Sequence, residues 1–444
     1  MDPLDVLLVI APSAHPDRDS INRTKRLSSP HLGLAYVAAT LVENGYTVAI
    51  VDLLMDGTTI DTIRGLLRER GPRLVGITAT TEAYNNAVRI ARVCKKIRPE
   101  CTTVLGGPHV TFTADQTLAE SVVDLVVRDE GEFPMLEIAG YFIRGYGSLA
   151  AIEGLSYRTT SGQAVHNRDR QFLSALDELP FPDRSMFATG TYGYYNGILT
   201  ARGCLGRCSF CSAGAMSKGR LRCRSVHSVI DELLFLQRTG VEFVTFFDDN
   251  LTTVWKRIEH LCDLMTASGF HLGWAIESRI DTVSPAALRK LGKSGCKYIQ
   301  FGIESGVQAI LNSIHKGITV PQIRQILGSA KEAGIQVACS VMIGHPDDTW
   351  DTAQETIRFS QELQEEYGVV VSFAVATPFP GTPMFRRAAE LGLVMCSTNF
   401  DDYTFYTPVC HTRNLRVDQL RQLLFDGYTI SNLTRGRTRE TAAT

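Results

Sequence analysis

Short apolar runs alternate with stretches of helical spacing along most of this chain, and the alternation runs twice. Asp5–Ile10 reads as a buried strand, Gly33–Glu43 as a helix, Val48–Val51 as a strand and Ile60–Arg70 as a helix. Leu74–Thr78, Thr103–Leu105 and Leu125–Val127 continue the strands, with helices predicted at Ala83–Arg98 and Glu132–Ile143. Apolar β-branched runs without a polar face, set between amphipathic helices, predict a parallel sheet covered on both sides. The expected fold of residues 1–144 is a doubly wound, Rossmann-like α/β domain, which binds ligands at the carboxyl ends of its strands.

Residues 145–195 break the pattern. Thr159-Thr160-Ser161-Gly162 predicts a hairpin turn, and two prolines in Leu179-Pro180-Phe181-Pro182 exclude a regular element there, so the segment reads as a connector. Alternation then resumes. Strands are predicted at Ile198–Ala201, Val241–Phe247, Leu272–Ile276, Tyr298–Phe301, Gln336–Ile343 and Val369–Val375. Helices fall between them at His227–Arg238, Val254–Ser268, Pro285–Leu291, Val320–Ala333 and Trp350–Glu366. Six such units over residues 196–385 predict a partial (β/α)6 barrel with its chemistry at the carboxyl strand ends. A small C-terminal region, 386–444, holds Tyr403, Phe405 and Tyr406 and a helix from Val417 to about Tyr428. Its polar end, Thr434–Thr444, predicts disorder.

Composition narrows the class. At 444 residues the chain is too long for a single core. No apolar stretch reaches the roughly 18 residues of a membrane span. A net charge of −2 lacks the basic bias of a nucleic-acid binder. The acidic start, Met1–Asp5, leads into a strand and does not read as a secretory signal. Eleven cysteines, an odd number, then point to reduced thiols in a cytoplasm. Cys94, Cys101, Cys262, Cys296 and Cys339 lie in apolar patterns and read as core.

Three cysteines stand apart. Cys204, Cys208 and Cys211 are spaced CxxxCxxC, with Phe210 just before the last. Three thiolates can hold three irons of a [4Fe-4S] cluster and leave the fourth open to chelate a small molecule. The competing readings are a zinc site, which is one ligand short here, and three buried structural cysteines. The spacing resembles that of the radical S-adenosylmethionine (SAM) superfamily. There the open iron binds the amino and carboxylate groups of SAM, and one electron cleaves SAM to a 5′-deoxyadenosyl radical.

The first domain has no GxGxxG after its first strand. Small and polar residues cluster instead at later strand ends: Thr78-Ala79-Thr80-Thr81, Gly106-Gly107-Pro108-His109 and Asp129-Glu130-Gly131-Glu132. Such residues let a bulky planar ligand approach the backbone. Together with Ser28–Ala39 these strings resemble the cobalamin-binding domain that is fused to radical SAM domains. The resemblance places Thr78, Thr80, Thr81, Gly106, Gly107, Pro108, His109, Glu130 and Gly131 around cobalamin. The Asp-x-His-x-x-Gly string that supplies a cobalt-ligating histidine in many cobalamin proteins is absent. His31 reads as a helix-entry residue and His109 as a loop residue, so no histidine is expected on the lower face of the cobalt.

Polar residues also follow the barrel strands. A carboxylate of Asp248 or Asp249 can take the ammonium of SAM, or cap the next helix. Arg279 suits the SAM carboxylate, or pairs with Glu277. Glu304 can bond ribose hydroxyls or an amine, and backbone around Ile343 can pair with adenine. In this order the strings resemble the class B cobalamin-dependent radical SAM enzymes over about residues 5–385. That resemblance implies C-methylation of an unactivated sp3 carbon of a small natural-product-type substrate, with methylcobalamin as the methyl source. It also implies an external electron donor such as flavodoxin or ferredoxin. Cyclisation, ring contraction or another rearrangement is the first alternative; an RNA-modifying enzyme and a non-catalytic cobalamin-binding protein are further ones. In this family the tail often covers the substrate.

Overall fold

The computed structural model describes residues 3–13, 30–55, 58–187 and 197–441, with side chains as far as Ser431. Ser28 and Ser29, the end of the predicted connector and residues 442–444 lie outside the described residues. The chain divides into two compact units, residues 1–195 and 196–444.

The first unit is built on β1 (Val6–Ile10), β2 (Val48–Asp52), β3 (Leu74–Thr78), β4 (Thr102–Gly106) and β5 (Leu125–Val127), all parallel, in the order 2-1-3-4-5. Every residue of β1 is buried, as expected for a central strand with helices on both faces. Strand order reverses between β1 and β3, and the ligand crevice of an open α/β sheet belongs at such a point. The predicted hairpin forms as β6 (Leu155–Arg158) and β7 (Ala164–His166). It does not stand apart as a connector; β6 pairs antiparallel with β5 and extends the sheet.

The second unit contains β8 (Gly197–Ile198), β9 (Ala201–Arg202), β10 (Arg222–Cys223), β11 (Phe243–Phe246), β12 (Gly273–Ser278), β13 (Cys296–Glu304), β14 (Gln336–Ile343) and β15 (Val370–Val375). Six of these form a parallel sheet in chain order, β8-β11-β12-β13-β14-β15, with helices between. This is the partial (β/α)6 barrel. Alternation sorts its side chains. Val244, Phe246, Trp274, Ile276, Ile299, Phe301, Val341 and Phe373 pack into one core with the helices. Thr245, Glu277, Gln300, Ser340 and Ser372 occupy the alternate positions and face inward. Gln300 Nε2 donates to Ser340 Oγ at 2.9 Å across this inner wall.

The predicted strand Ile198–Ala201 is split. Leu199 and Thr200 leave the sheet, and β9 pairs with β10 in a separate ribbon. At the other edge of the barrel, the C-terminal helix Val417–Thr441 packs on β15, where Tyr428 Oη and Ser431 Oγ donate to the carbonyls of Phe373 and Val371. The backbone is helical to Thr441, so the disorder predicted for Thr434 onward is corrected over that stretch. The segment carries no proline, and its polar residues are compatible with a helix. Tyr403, grouped with the aromatic tail residues, is a packing residue: it is buried with its hydroxyl on Ser397 O. Phe405 and Tyr406 keep their rings exposed.

Candidate functional site

The cysteine loop leaves β9 through Gly203, at φ +103°, where a Cβ would stand 2.1 Å from Arg220 O. No other residue fits there. Ser209, in the middle of the loop, is pinned on both sides: its N–H donates to Ile314 O at 3.0 Å, and its carbonyl accepts Met384 N–H at 2.8 Å. Each cysteine sulfur accepts a hydrogen bond. Gly206 N–H reaches Cys204 Sγ and Ala213 N–H reaches Cys211 Sγ, both at 3.4 Å, and Arg279 Nη1 reaches Cys208 Sγ at 3.2 Å. Phe210 packs against the core with its ring 5.6 Å from that of His345.

The barrel residues singled out in the sequence fall into distinct roles. Asp248 is 2% exposed. It accepts from Thr200 N–H at 2.6 Å, Thr200 Oγ1 at 2.5 Å and Ala201 N–H at 2.9 Å. These bonds hold open the break between β8 and β9. Asp249, next along, and Glu277 are solvent-reachable yet ringed by protein; burial raises the pKa of both, and the Asp249 charge raises that of Glu277 further. Arg279 does not pair with Glu277. Its guanidinium grips Asp281 through two bonds of 2.9 Å and also reaches Lys316 O. Glu304, at φ +62°, is buried and paired with Lys316 Nζ at 2.7 Å. Ile343 points its side chain into the helix-facing core, and its carbonyl accepts Ala376 N–H at 2.8 Å.

In the first unit, the β1, β3 and β4 ends are in register at Ile10, Thr78 and Gly106. Gly107 has φ +101°, and a Cβ there would lie 2.9 Å from both Ala79 O and Thr78 Oγ1. Pro108 opens the short helix that follows, and Gly131 stands before the helix Glu132–Ala139. Thr78, Thr80, Gly106, Gly107, Pro108, Glu130 and Gly131 remain accessible along this edge. Thr81 and His109 are buried and bonded to each other at 3.2 Å. Burial depresses His109 to about 4, which keeps its ring neutral. His31 is the helix-entry residue expected: its Nδ1 accepts Leu34 N–H at 3.1 Å.

The B12 binding domain matches residues 21–139, and the Radical SAM superfamily matches residues 198–360. An uncharacterized methyltransferase of Pyrococcus horikoshii is 33% identical over 96% of this chain and 92% of its own length. The chain belongs to the cobalamin-dependent radical SAM enzymes. An anaerobic magnesium-protoporphyrin IX monomethyl ester cyclase of Rubrivivax gelatinosus is 28% identical over 86% of this chain and 69% of its own length. The radical SAM methyltransferase TsrM of Kitasatospora setae, solved with cobalamin and a [4Fe-4S] cluster, shares the fold. Its TM-score is 0.74 at 18% identity, over 97% of this chain and 89% of that one.

The cofactors of this enzyme class are a [4Fe-4S] cluster, SAM and cobalamin. The residues present fit them. Among the described residues, no three His, Cys, Asp or Glu side chains gather around one point as a single metal ion requires. A cubane does not need that, since each thiolate binds its own iron. The amide and guanidinium donors on the sulfurs are of the kind that stabilise thiolates, and they oppose the burial that raises the pKa of Cys204 and Cys211. The flat edge around Gly106 and Gly107 suits a broad planar ligand. Among the described residues no helix is long and apolar enough to cross a membrane.

Several residues of the site carried no sequence signal, because their partners are distant in the chain. Thr200, Arg224, Glu232 and Arg257 form a buried network under the β9–β10 ribbon: Arg224 pairs with Glu232, and Arg257 donates to the Thr200 and Arg224 carbonyls. Asn250 Oδ1 accepts Arg279 N–H at 3.2 Å and Thr282 Oγ1 at 3.1 Å. His345 is fully buried with no hydrogen-bond partner on either ring nitrogen, and burial and then the Lys316 charge hold its pKa near 3.

Asp348 gives a pH-dependent prediction. Its carboxylate accepts Gly344 N–H and His345 N–H at 2.9 and 3.0 Å and Thr352 Oγ1 at 2.9 Å. Burial outweighs these bonds and raises its pKa to about 6. A raised carboxylate pKa favours the folded state while protonated, and that advantage is lost as pH rises through about 6. Asp348→Asn is expected to lose less stability than the parent between about pH 4 and about pH 7, by on the order of 2–3 kcal/mol at most. Thermal unfolding of both proteins at the two pH values measures it.

Proposed function

We propose that this enzyme transfers a methyl group from methylcobalamin to an unactivated sp3 carbon of a small molecule. The near full-length similarity to the Pyrococcus horikoshii methyltransferase carries this reading. When bound, the cluster and SAM supply a carbon-centred radical at the substrate, and methylcobalamin supplies the methyl group.

The chain's own part is to bind, orient and exclude water. Cys204, Cys208 and Cys211 would hold the cluster. Asp249 and Glu277 face inward and would accept hydrogen bonds from the SAM ammonium. Phe210 and the backbone after β14 line the side where adenine would rest. Gln300, Ser340 and Ser372 give the inner wall a polar floor, which favours a substrate with hydroxyl, amide or amine groups near its reacting carbon. Thr78, Thr80, Gly106, Gly107, Pro108, Glu130 and Gly131 would hold cobalamin, with no histidine ligand from the protein. A flavodoxin- or ferredoxin-like donor would supply the electrons, one for SAM cleavage and one to restore the cobalamin after methyl transfer.

The test is product analysis with methyl-labelled SAM. Methylation should yield one 5′-deoxyadenosine and one S-adenosylhomocysteine per product, in about equal amounts, with label in the product. The similarity to the Rubrivivax gelatinosus cyclase favours a second reading, a ring closure or rearrangement without methyl transfer. Product formed with 5′-deoxyadenosine but neither label nor S-adenosylhomocysteine would select that reading.

A further inference from the structure

Two cations, the buried Lys316 and the half-buried Arg279, lie on one corner of the cysteine loop. Arg279 donates to Cys208 Sγ at 3.2 Å. Lys316, whose carbonyl accepts the other end of the same guanidinium, sends its Nζ to Glu304 Oε1 at 2.7 Å and lies 5.8 Å from the Phe210 ring centre. Cys204 and Cys211 accept from backbone amides instead. Positive charge is therefore concentrated at Cys208.

Holding this arrangement is costly. The side chains of Lys316 and Glu304 are 6% and 7% exposed, and an ion pair at that depth does not repay its desolvation as an apolar pair would. Glu304 also adopts a left-handed backbone that a residue with a Cβ resists. Burial works against the lysine charge, but Glu304 and the Cys208 sulfur outweigh it and keep its pKa above the ordinary value. A cation maintained at this expense beside a cluster ligand has an electrostatic use. Reduction of a cluster adds one negative charge, and a cation in a low-dielectric interior stabilises that state.

We propose that Lys316, held in place by Glu304, is a positioning residue that raises the reduction potential of the cluster from the Cys208 side. The inference rests on the three cysteines holding the cluster, and iron and sulfide analysis tests that separately. The full chain, reconstituted with iron and sulfide and without SAM, is poised with dithionite and redox mediators, and the reduced cluster is followed by electron paramagnetic resonance. Lys316→Met with the parent's iron content is expected to have a more negative midpoint, and Lys316→Arg one close to the parent. Glu304→Gln, which leaves the cation without its counter-charge, is expected to shift the midpoint the other way. Packing alone would not produce shifts of opposite sign. Loaded Lys316→Met and Glu304→Gln proteins with the parent midpoint would overturn the proposal. Should Lys316→Met take up no cluster, Glu304→Gln decides by the same criterion. Failure of every variant to bind iron would overturn the proposal in favour of a purely structural pair.

Discussion

A Cys208→Ala protein is expected to fold and to lose SAM cleavage altogether. Cys208 is one of three thiolates in a loop that offers no substitute, and it alone takes a charged donor, Arg279. Its removal takes one iron ligand away and leaves the guanidinium with Asp281 and Lys316 O. Arg279 therefore keeps most of its bonds, and the stability cost should be modest, about 1 kcal/mol. Iron content, 5′-deoxyadenosine yield and far-ultraviolet circular dichroism separate loss of the site from loss of the fold. A variant that made 5′-deoxyadenosine at the parent rate would remove the cysteine triplet from the mechanism.

Glu232→Ala should produce the largest loss of stability. Glu232 is fully buried and pairs with Arg224, itself 5% exposed. Truncation leaves a guanidinium charge inside the barrel wall, which costs about 3–5 kcal/mol. The damage should reach the site, because Arg224 N–H bonds Thr200 O at 2.9 Å and Thr200 is the residue Asp248 holds out of the sheet. Thermal unfolding of the protein and its iron uptake on reconstitution measure both effects. An unchanged unfolding temperature would show that water or a rearranged partner satisfies Arg224.

The periodic elements were legible because each is decided locally. β3, β5 and β14 begin and end where the apolar β-branched runs do. The cysteine triplet stands out for a different reason: its three thiols lie within eight residues, so their spacing is visible without the fold. Asp248 and Asp249 show the limit of this. Both follow a strand and both are acids, yet one is locked onto Thr200 and Ala201 while its neighbour faces the inner wall. Strand alternation separates them only once the position of the strand end is known. Ile343 and the hairpin β6–β7 show the same dependence on context.

By itself, the sequence determined the order of strands and helices, the two α/β units, the spacing of the three cysteines proposed to hold the cluster, and the absence of a local histidine motif for cobalt. Hydrophobic period and motif spacing act over a few residues and survive without the fold. The tertiary structure alone decided which polar groups pair: Lys316 with Glu304, Arg279 with Asp281 and Cys208, Arg224 with Glu232, and Asp248 with the break after β8. Burial makes an unpaired charge too costly to keep, and the partner that relieves it is set by the fold around it, 2 to 71 residues away in these cases.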